Sequence, residues 1–126
     1  MKEKEEQNVV TIYHTVRDRN GKKHRVYSAR FKDLQTITEF TEKYNADAFG
    51  YYMLAPVLDE DGNIERLADG KINYNNGFLD DLMDIVELAL DHRESREQIG
   101  EWLDLEIAKE IVLTFLGLSS FKKKQM

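Results

Sequence analysis

Three histidines, His14, His24 and His92, are the first residues to consider for chemistry, because imidazole binds metals and exchanges protons near neutral pH. No two of them have the close spacing typical of metal ligands. The first two fall on opposite faces of a predicted β-hairpin, and the third lies near the end of a predicted helix. We therefore interpret all three as structural. The chain has no cysteine, which excludes disulfides, thiolate metal sites and cysteine nucleophiles.

Acidic residues form two further patterns with chemical potential. The stretch 59–63 (DEDGN) begins like a calcium-binding loop, but the turn glycine and the bidentate glutamate of such a loop are missing from their positions. Asp80, Asp84 and Glu87 share the surface of a predicted helix, and paired carboxylates can act as acid and base. We interpret 59–63 as a turn and the helical acids as a solvated face.

Motifs for phosphate binding and nucleophilic catalysis are missing from the sequence. It contains no GxxxxGK[ST], GxGxxG or GxSxG pattern. The sequence therefore predicts no catalytic, cofactor-binding or metal-binding residue, no cofactor, and a protein that is not an enzyme. These observations favour a binding or assembly role.

Length and charge limit the kinds of partner. The 126 residues, 41% hydrophobic and 33% charged, predict a single domain over 1–126. No apolar run reaches the about 20 residues of a membrane helix, and the charged start is unlike a signal peptide, so we expect a cytoplasmic protein with no membrane partner. Residues 1–31 carry eight Lys/Arg and four acids, whereas 32–121 carry seven and twenty. Because an acidic body repels phosphate backbones, we expect no nucleic-acid partner.

The elements that would position any site begin with a β-hairpin over 8–31. Two β-branched and aromatic segments flank Asn20-Gly21, a dipeptide preferred in type I′ turns. A two-residue turn there pairs His14 with Tyr27 and Val10 with Phe31.

Helices are predicted over 33–44, with Asp33 as its N-cap, and throughout 78–117. Two apolar stripes in the second region are predicted to face the core: Phe78, Leu79, Leu82, Met83, Val86, Ala89 and Leu90 in its first helix, and Ile107, Ala108, Ile111, Val112, Phe115 and Leu116 in its last. Within the second region Ser95 begins a capping box, Asp104 caps the last helix, and Gly117 is expected to end it in a left-handed conformation. The intervening 45–77 is irregular, and is compatible with a short helix before Pro56 or with short strands around Asp61-Gly62. We identify no internal repeat, and expect a flexible tail at 118–126. The fold class is α+β, with an N-terminal β-hairpin followed by a mostly α-helical body.

Apolar residues near the C-terminal end are the candidates for contact with a partner. Trp102, the only tryptophan, fits a core anchor or an interface hot spot. The candidate partner-binding residues are Trp102, Leu103, Phe115, Leu116 and Leu118.

Residues 88–124 resemble the C-terminal region of tail assembly chaperones from phages with long, non-contractile tails. The matching features are the acidic amphipathic stretch 95–104 (SREQIGEWLD), the helix 105–115, the LGL segment 116–118 and the lysines at 122–124. The hairpin running into 28–31 (SARF) is similar to the opening of members from Gram-positive phages. The resemblance covers about half of the chain and does not extend to 45–77.

The resemblance implies a non-enzymatic role in virion assembly in the host cytoplasm. Members of the family bind the tape-measure protein, keep its long apolar helices soluble and recruit tail-tube subunits. They also commonly extend through a ribosomal frameshift near the end of the gene, where A-rich codons are read as lysines. Two alternatives are a small phage or mobile-element protein that inhibits a host enzyme, and a structural component of the tail or neck.

Opposite charges on two segments predict weak self-association. Residues 7–31 hold six Lys/Arg and one acid, whereas the predicted helix over 78–93 has an acidic exposed side. These charges can pair within the fold or head-to-tail between copies, which would form a weak, salt-sensitive homo-oligomer.

Overall fold

The structure, a computed structural model, describes residues 13–119 as a two-stranded antiparallel hairpin followed by five α-helices. The α+β fold class is confirmed. The predicted strand residues 8–12 and the predicted tail beyond Ser119 lie outside the described residues. Two 3-10 helices, Phe31–Asp33 and Ala46–Ala48, lead into the first two α-helices. The elements are β1 (Tyr13–Arg17), β2 (Lys23–Tyr27), α1 (Leu34–Lys43), α2 (Phe49–Leu54), α3 (Phe78–Ala89), α4 (Arg96–Trp102) and α5 (Leu105–Leu118).

The register of the hairpin differs from the prediction by one residue. His14 pairs with Val26 and Val16 with His24, so the expected pairing of His14 with Tyr27 is wrong. Because side chains alternate along a strand, this shift exchanges the two faces of β2 relative to β1. It turns His24 and Val26 toward the core beside Val16, and it places His14 and His24 on the same face.

A three-residue loop causes the shift. Gly21 has a left-handed backbone (φ 84°), and its N–H donates to the Asp18 carbonyl at 2.9 Å. The Asp18 carboxylate also accepts the backbone N–H groups of Asn20 and Lys22. This is a type I turn followed by a left-handed glycine, which uses Asn-Gly as readily as the two-residue type I′ turn does. Phe31, expected in the second strand, instead begins a 3-10 helix and is 91% exposed.

The helices of the C-terminal half begin where their caps predict. The Ser95 hydroxyl accepts the backbone N–H of Gln98, whose side chain accepts the Ser95 N–H in return, which completes the capping box. Asp104 accepts the backbone N–H of Ile107 at 2.9 Å at the start of α5. The predicted left-handed cap at Gly117 is wrong, because α5 continues one residue past it.

The segment 45–77 contains the short helix that its sequence allowed, and isolated β-bridges take the place of the alternative short strands. The short helix α2 ends before Pro56, and two antiparallel β-bridges follow, Leu58 with Ile64 and Arg66 with Ile72. The predicted turn at 59–63 is present.

Residues 57–73, called the arm below, contain two similar eight-residue units, although no internal repeat was expected. The units are 57–64 (VLDEDGNI) and 65–72 (ERLADGKI), each with a left-handed glycine in its turn. Three backbone hydrogen bonds close the arm: the N–H of Val57 donates to Asn73, that of Asn73 to Glu65, and that of Glu65 to Val57. Every residue from 58 to 71 is exposed, so the arm stands outside the core.

The core lies between the inner face of the hairpin and the helices α3 and α5, which pack on each other. The apolar stripes predicted for these helices are buried, apart from Leu79 and Leu116. An aromatic cluster surrounds Phe78, whose ring centre lies within 5.3 Å of those of Tyr44, just after α1, and of Phe49 and Tyr52 on α2. Within residues 13–119, none of the helices has the length and apolar character needed to cross a bilayer.

Candidate partner-binding surface

The five candidate partner-binding residues occupy different environments. Phe115 is fully buried and Trp102 is 7% exposed, so both side chains belong to the core and offer no surface to a partner in this conformation. Leu116 and Leu118 are half-buried against the same core. Only Leu103 lies in an apolar surface groove.

That groove, called the leucine groove below, separates α2 from the junction between α4 and α5. It has a volume of about 310 Å³, and its floor includes the buried side chains of Leu82 and Ala108. Leu54 and Leu79 stand at its edges with 74% and 53% of their surface exposed. The residues that line it are Gly50, Met53, Leu54, Leu79, Leu82, Leu103, Asp104, Leu105 and Ala108.

One charged side chain lines the leucine groove, and it already has partners. The carboxylate of Asp104 caps α5 through the N–H of Ile107 and lies 3.7 Å from the Arg19 guanidinium. The groove therefore favours an apolar ligand.

Exposed apolar side chains are concentrated in the stretch of sequence that contributes Met53, Leu54 and Leu79 to this groove. Of the eleven large hydrophobic residues exposed within 13–119, eight fall between residues 51 and 79. Met53, Leu54 and Leu79 are both exposed and part of the groove lining, so the groove has an exposed apolar edge. The eight are Tyr51, Met53, Leu54, Leu58, Ile64, Leu67, Tyr74 and Leu79.

The candidates named from the sequence include one residue of the leucine groove, Leu103, and omit Leu54 and Leu79. Leu79 was expected in the buried stripe of α3, and Leu54 in a segment of undecided structure. The sequence did contain a signal, the high density of apolar residues in 51–58 (YYMLAPVL). A helix of six residues is too short to bury all of these side chains, so some of them must be exposed.

A second cluster joins the hairpin to the rest of the fold through His24. Its Nε2 lies 2.8 Å from an Asp18 carboxylate oxygen, and its Nδ1 lies 2.6 Å from one of Glu94. The ring stacks on Trp102 with 3.8 Å between ring centres, and the Trp102 indole N–H donates to the other Glu94 oxygen at 2.9 Å. Each imidazole nitrogen therefore has a carboxylate oxygen within hydrogen-bonding distance.

This cluster ties the hairpin to the helices. A general base needs a free ring nitrogen, and carboxylates engage both nitrogens of His24. The hydrogen bond from His24, helped by the backbone N–H groups of Lys22 and Asn20, lowers the pKa of Asp18 although burial opposes it. The hydrogen bonds of His24 and Trp102 to Glu94 connect β2 with residues 94–102, and Glu94 lies 70 positions after His24 in the sequence.

The acids of α3 are ion-paired within the fold. Arg96 bonds to Asp84 and to Glu87, the latter at 2.8 Å, and these bonds raise the pKa of Arg96. Burial, together with a 2.6 Å hydrogen bond to Asp81, raises the pKa of Tyr44 to about 12. The carboxylate pairs considered for acid–base chemistry are therefore joined to cations.

Within residues 13–119, no three His, Cys, Asp or Glu side chains converge in a way that could hold a metal ion. Comparison of the chain with protein-family models, with curated proteins and with solved structures gives no significant match.

Proposed function

We propose that this protein is a non-enzymatic assembly chaperone that binds an apolar helix of its partner in the leucine groove. The observation that carries the proposal is the apolar lining of that groove, with Met53, Leu54 and Leu79 exposed in it. An amphipathic helix with apolar residues at positions i, i+3, i+4 and i+7 is the ligand that such a groove accommodates.

The resemblance of 88–124 supports a phage tail assembly chaperone in particular. In this proposal the partner is the tape-measure protein, a long helical protein whose apolar surface must be covered before the tail-tube subunits are added. Such work needs an apolar groove and a charged exterior and requires no active site. The proposed place of action is the host cytoplasm.

The test is co-expression with the tape-measure protein. We expect the wild-type chain to increase the soluble yield of that protein, and Leu54→Asp or Leu79→Asp to abolish the increase. Each leucine that would be buried in the complex contributes about 1.5–3 kcal/mol, so one substitution should weaken binding about ten- to hundred-fold or more.

Leu113→Asp is the matched control. Leu113 is exposed to nearly the same extent as Leu79, at 48%, but it lies on α5 outside the leucine groove. This variant should keep the wild-type effect. Loss of the effect in all three variants would argue against the groove, and no effect of the wild-type chain would refute the chaperone role.

A further inference from the structure

Charge compensation within the fold is uneven. Nine of the acids in residues 13–119 lie within 4 Å of a basic group, among them five on and just after α3 that bond to Lys43, Arg96 and Arg30. The acidic side of α3, which the sequence suggested as the partner of the basic hairpin, is therefore already compensated by its own fold.

The outer face of the hairpin carries cations that no described carboxylate approaches within 4 Å. Arg17, Lys23 and Arg25 alternate with residues that face the core, so all three point outward from the sheet. The Arg25 guanidinium lies 4.6 Å from the ring centre of Tyr13, and that of Arg93 lies 5.0 Å from Tyr27. These contacts hold the cations in place beside aromatic rings. We call Arg17, Lys23, Arg25 and Arg93 the basic face.

The arm carries the complementary charge. Its five acids lie within eleven consecutive residues that are all exposed, and no described cation lies within 4 Å of their carboxylates. Glu60 and Asp61 stand at the tip of the first turn, where their side chains accept no hydrogen bond from residues 13–119. The two cations of the arm are Arg66 and Lys71, and its acids are Asp59, Glu60, Asp61, Glu65 and Asp69.

We propose that copies of this chain associate head-to-tail, with the basic face of one copy on the acidic arm of the next. The inference is independent of the proposed function, since neither surface includes the leucine groove. Two different patches meet, so the contact is heterologous and repeats until a ring closes or an open filament forms. Opposite potentials favour encounter of the two surfaces, and salt weakens the contact because both surfaces are exposed.

Charge reversal on each side tests the contact. The basic-face variant is Lys23→Glu/Arg25→Glu, the arm variant is Glu60→Lys/Asp61→Lys, and the control is Glu97→Lys/Glu101→Lys on the exposed side of α4. Sedimentation should show wild-type and control chains self-associating as concentration rises at low salt. It should show each of the first two variants as a monomer.

Mixing supplies the decisive measurement. The basic-face variant keeps an intact arm and the arm variant keeps an intact basic face, so an equimolar mixture should associate although neither variant does so alone. The association constant of the mixture should fall at least ten-fold in about molar salt, where the screening length is about 3 Å. Circular dichroism tests whether the variants fold. If the basic-face variant does not fold, the neutral variant Lys23→Gln/Arg25→Gln takes its place.

Three results would overturn the proposal. They are a wild-type chain that stays monomeric at high concentration and low salt, a mixture that stays monomeric, and self-association that only the α4 control abolishes. The last result would show that the basic face binds α4 of the next copy and not its arm.

Discussion

Replacing Trp102 with alanine should destabilise the fold without acting on the partner-binding surface. The indole is 7% exposed, stacks on His24 and donates its N–H to Glu94. Truncation removes the stacking and the hydrogen bond, and it leaves a cavity between the hairpin and the helices.

The expected loss is large relative to the stability of a small domain. Buried Trp→Ala substitutions cost about 3–5 kcal/mol, against a total of about 5–15 kcal/mol for a typical domain. At roughly 3–5 °C per kcal/mol for a chain of this size, the melting temperature should fall by about 10–20 °C. Trp102→Phe retains a ring above His24 and loses mainly the N–H bond to the carboxylate, so about 1.5–3 kcal/mol is expected.

Chemical denaturation followed by far-UV circular dichroism measures the stability of both variants. Tryptophan fluorescence cannot be used, because each variant lacks the only tryptophan. Leu54→Ala, at a side chain that is 74% exposed, is the control and should change stability by less than about 0.5 kcal/mol. The core assignment would be refuted if Trp102→Ala unfolded like wild type and lost only its partner. That result would restore Trp102 as an interface residue.

Two further predictions concern pH and the hairpin loop. His24 and two backbone N–H groups lower the pKa of Asp18 below its ordinary value of 3.8 in the folded chain, so the unfolded chain binds this proton more readily. The stability that the Asp18 carboxylate contributes is therefore complete above pH 3.8, and it is lost as the pH falls through the lower pKa of the folded state. Urea midpoints of wild type and Asp18→Asn should therefore converge as pH drops below about 4, and a constant gap would contradict the assignment. Gly21→Ala should cost about 1 kcal/mol of stability, because the φ of 84° at this position disfavours a Cβ. Gly100→Ala lies within α4 with no atom near the added methyl group, and it should stabilise the fold by about 0.5–1 kcal/mol. Equal shifts in the two denaturation midpoints would show that backbone conformation does not decide the outcome.

The helices of the C-terminal half were predictable because their signals are local. Ser95 and Asp104 bond to N–H groups three residues ahead, so the cap and its partner lie within one helical turn of sequence. The apolar spacing of α3 and α5 likewise identifies their buried faces. The error at Leu79 arose where the first turn of α3 borders the leucine groove, since nothing within the helix shows that its neighbours leave a gap there.

The arm was missed for a different reason. Its two units share the pattern Asp-Gly-x-Ile, but their apolar residues are exposed. Hydrophobic periodicity identifies elements that bury one face, so it gives no signal for an exposed arm. Backbone hydrogen bonds among Val57, Glu65 and Asn73 hold the arm together, and backbone groups leave no signature in side-chain type.

The sequence by itself determined the α+β class, the positions of the hairpin and of the helices, and most of the buried residues of α3 and α5. Turn residues, caps and apolar spacing all act within a few positions of one another, so they can be read without knowledge of the fold. Tertiary structure alone decided which face of β2 is buried, since Asn-Gly fits both loop lengths and a one-residue difference exchanges the faces. It also decided that His24 meets Glu94, that Trp102 is covered, and that the leucine groove opens between α2 and α5. These outcomes depend on contacts between segments tens of residues apart, and such contacts follow from the packing of the whole chain.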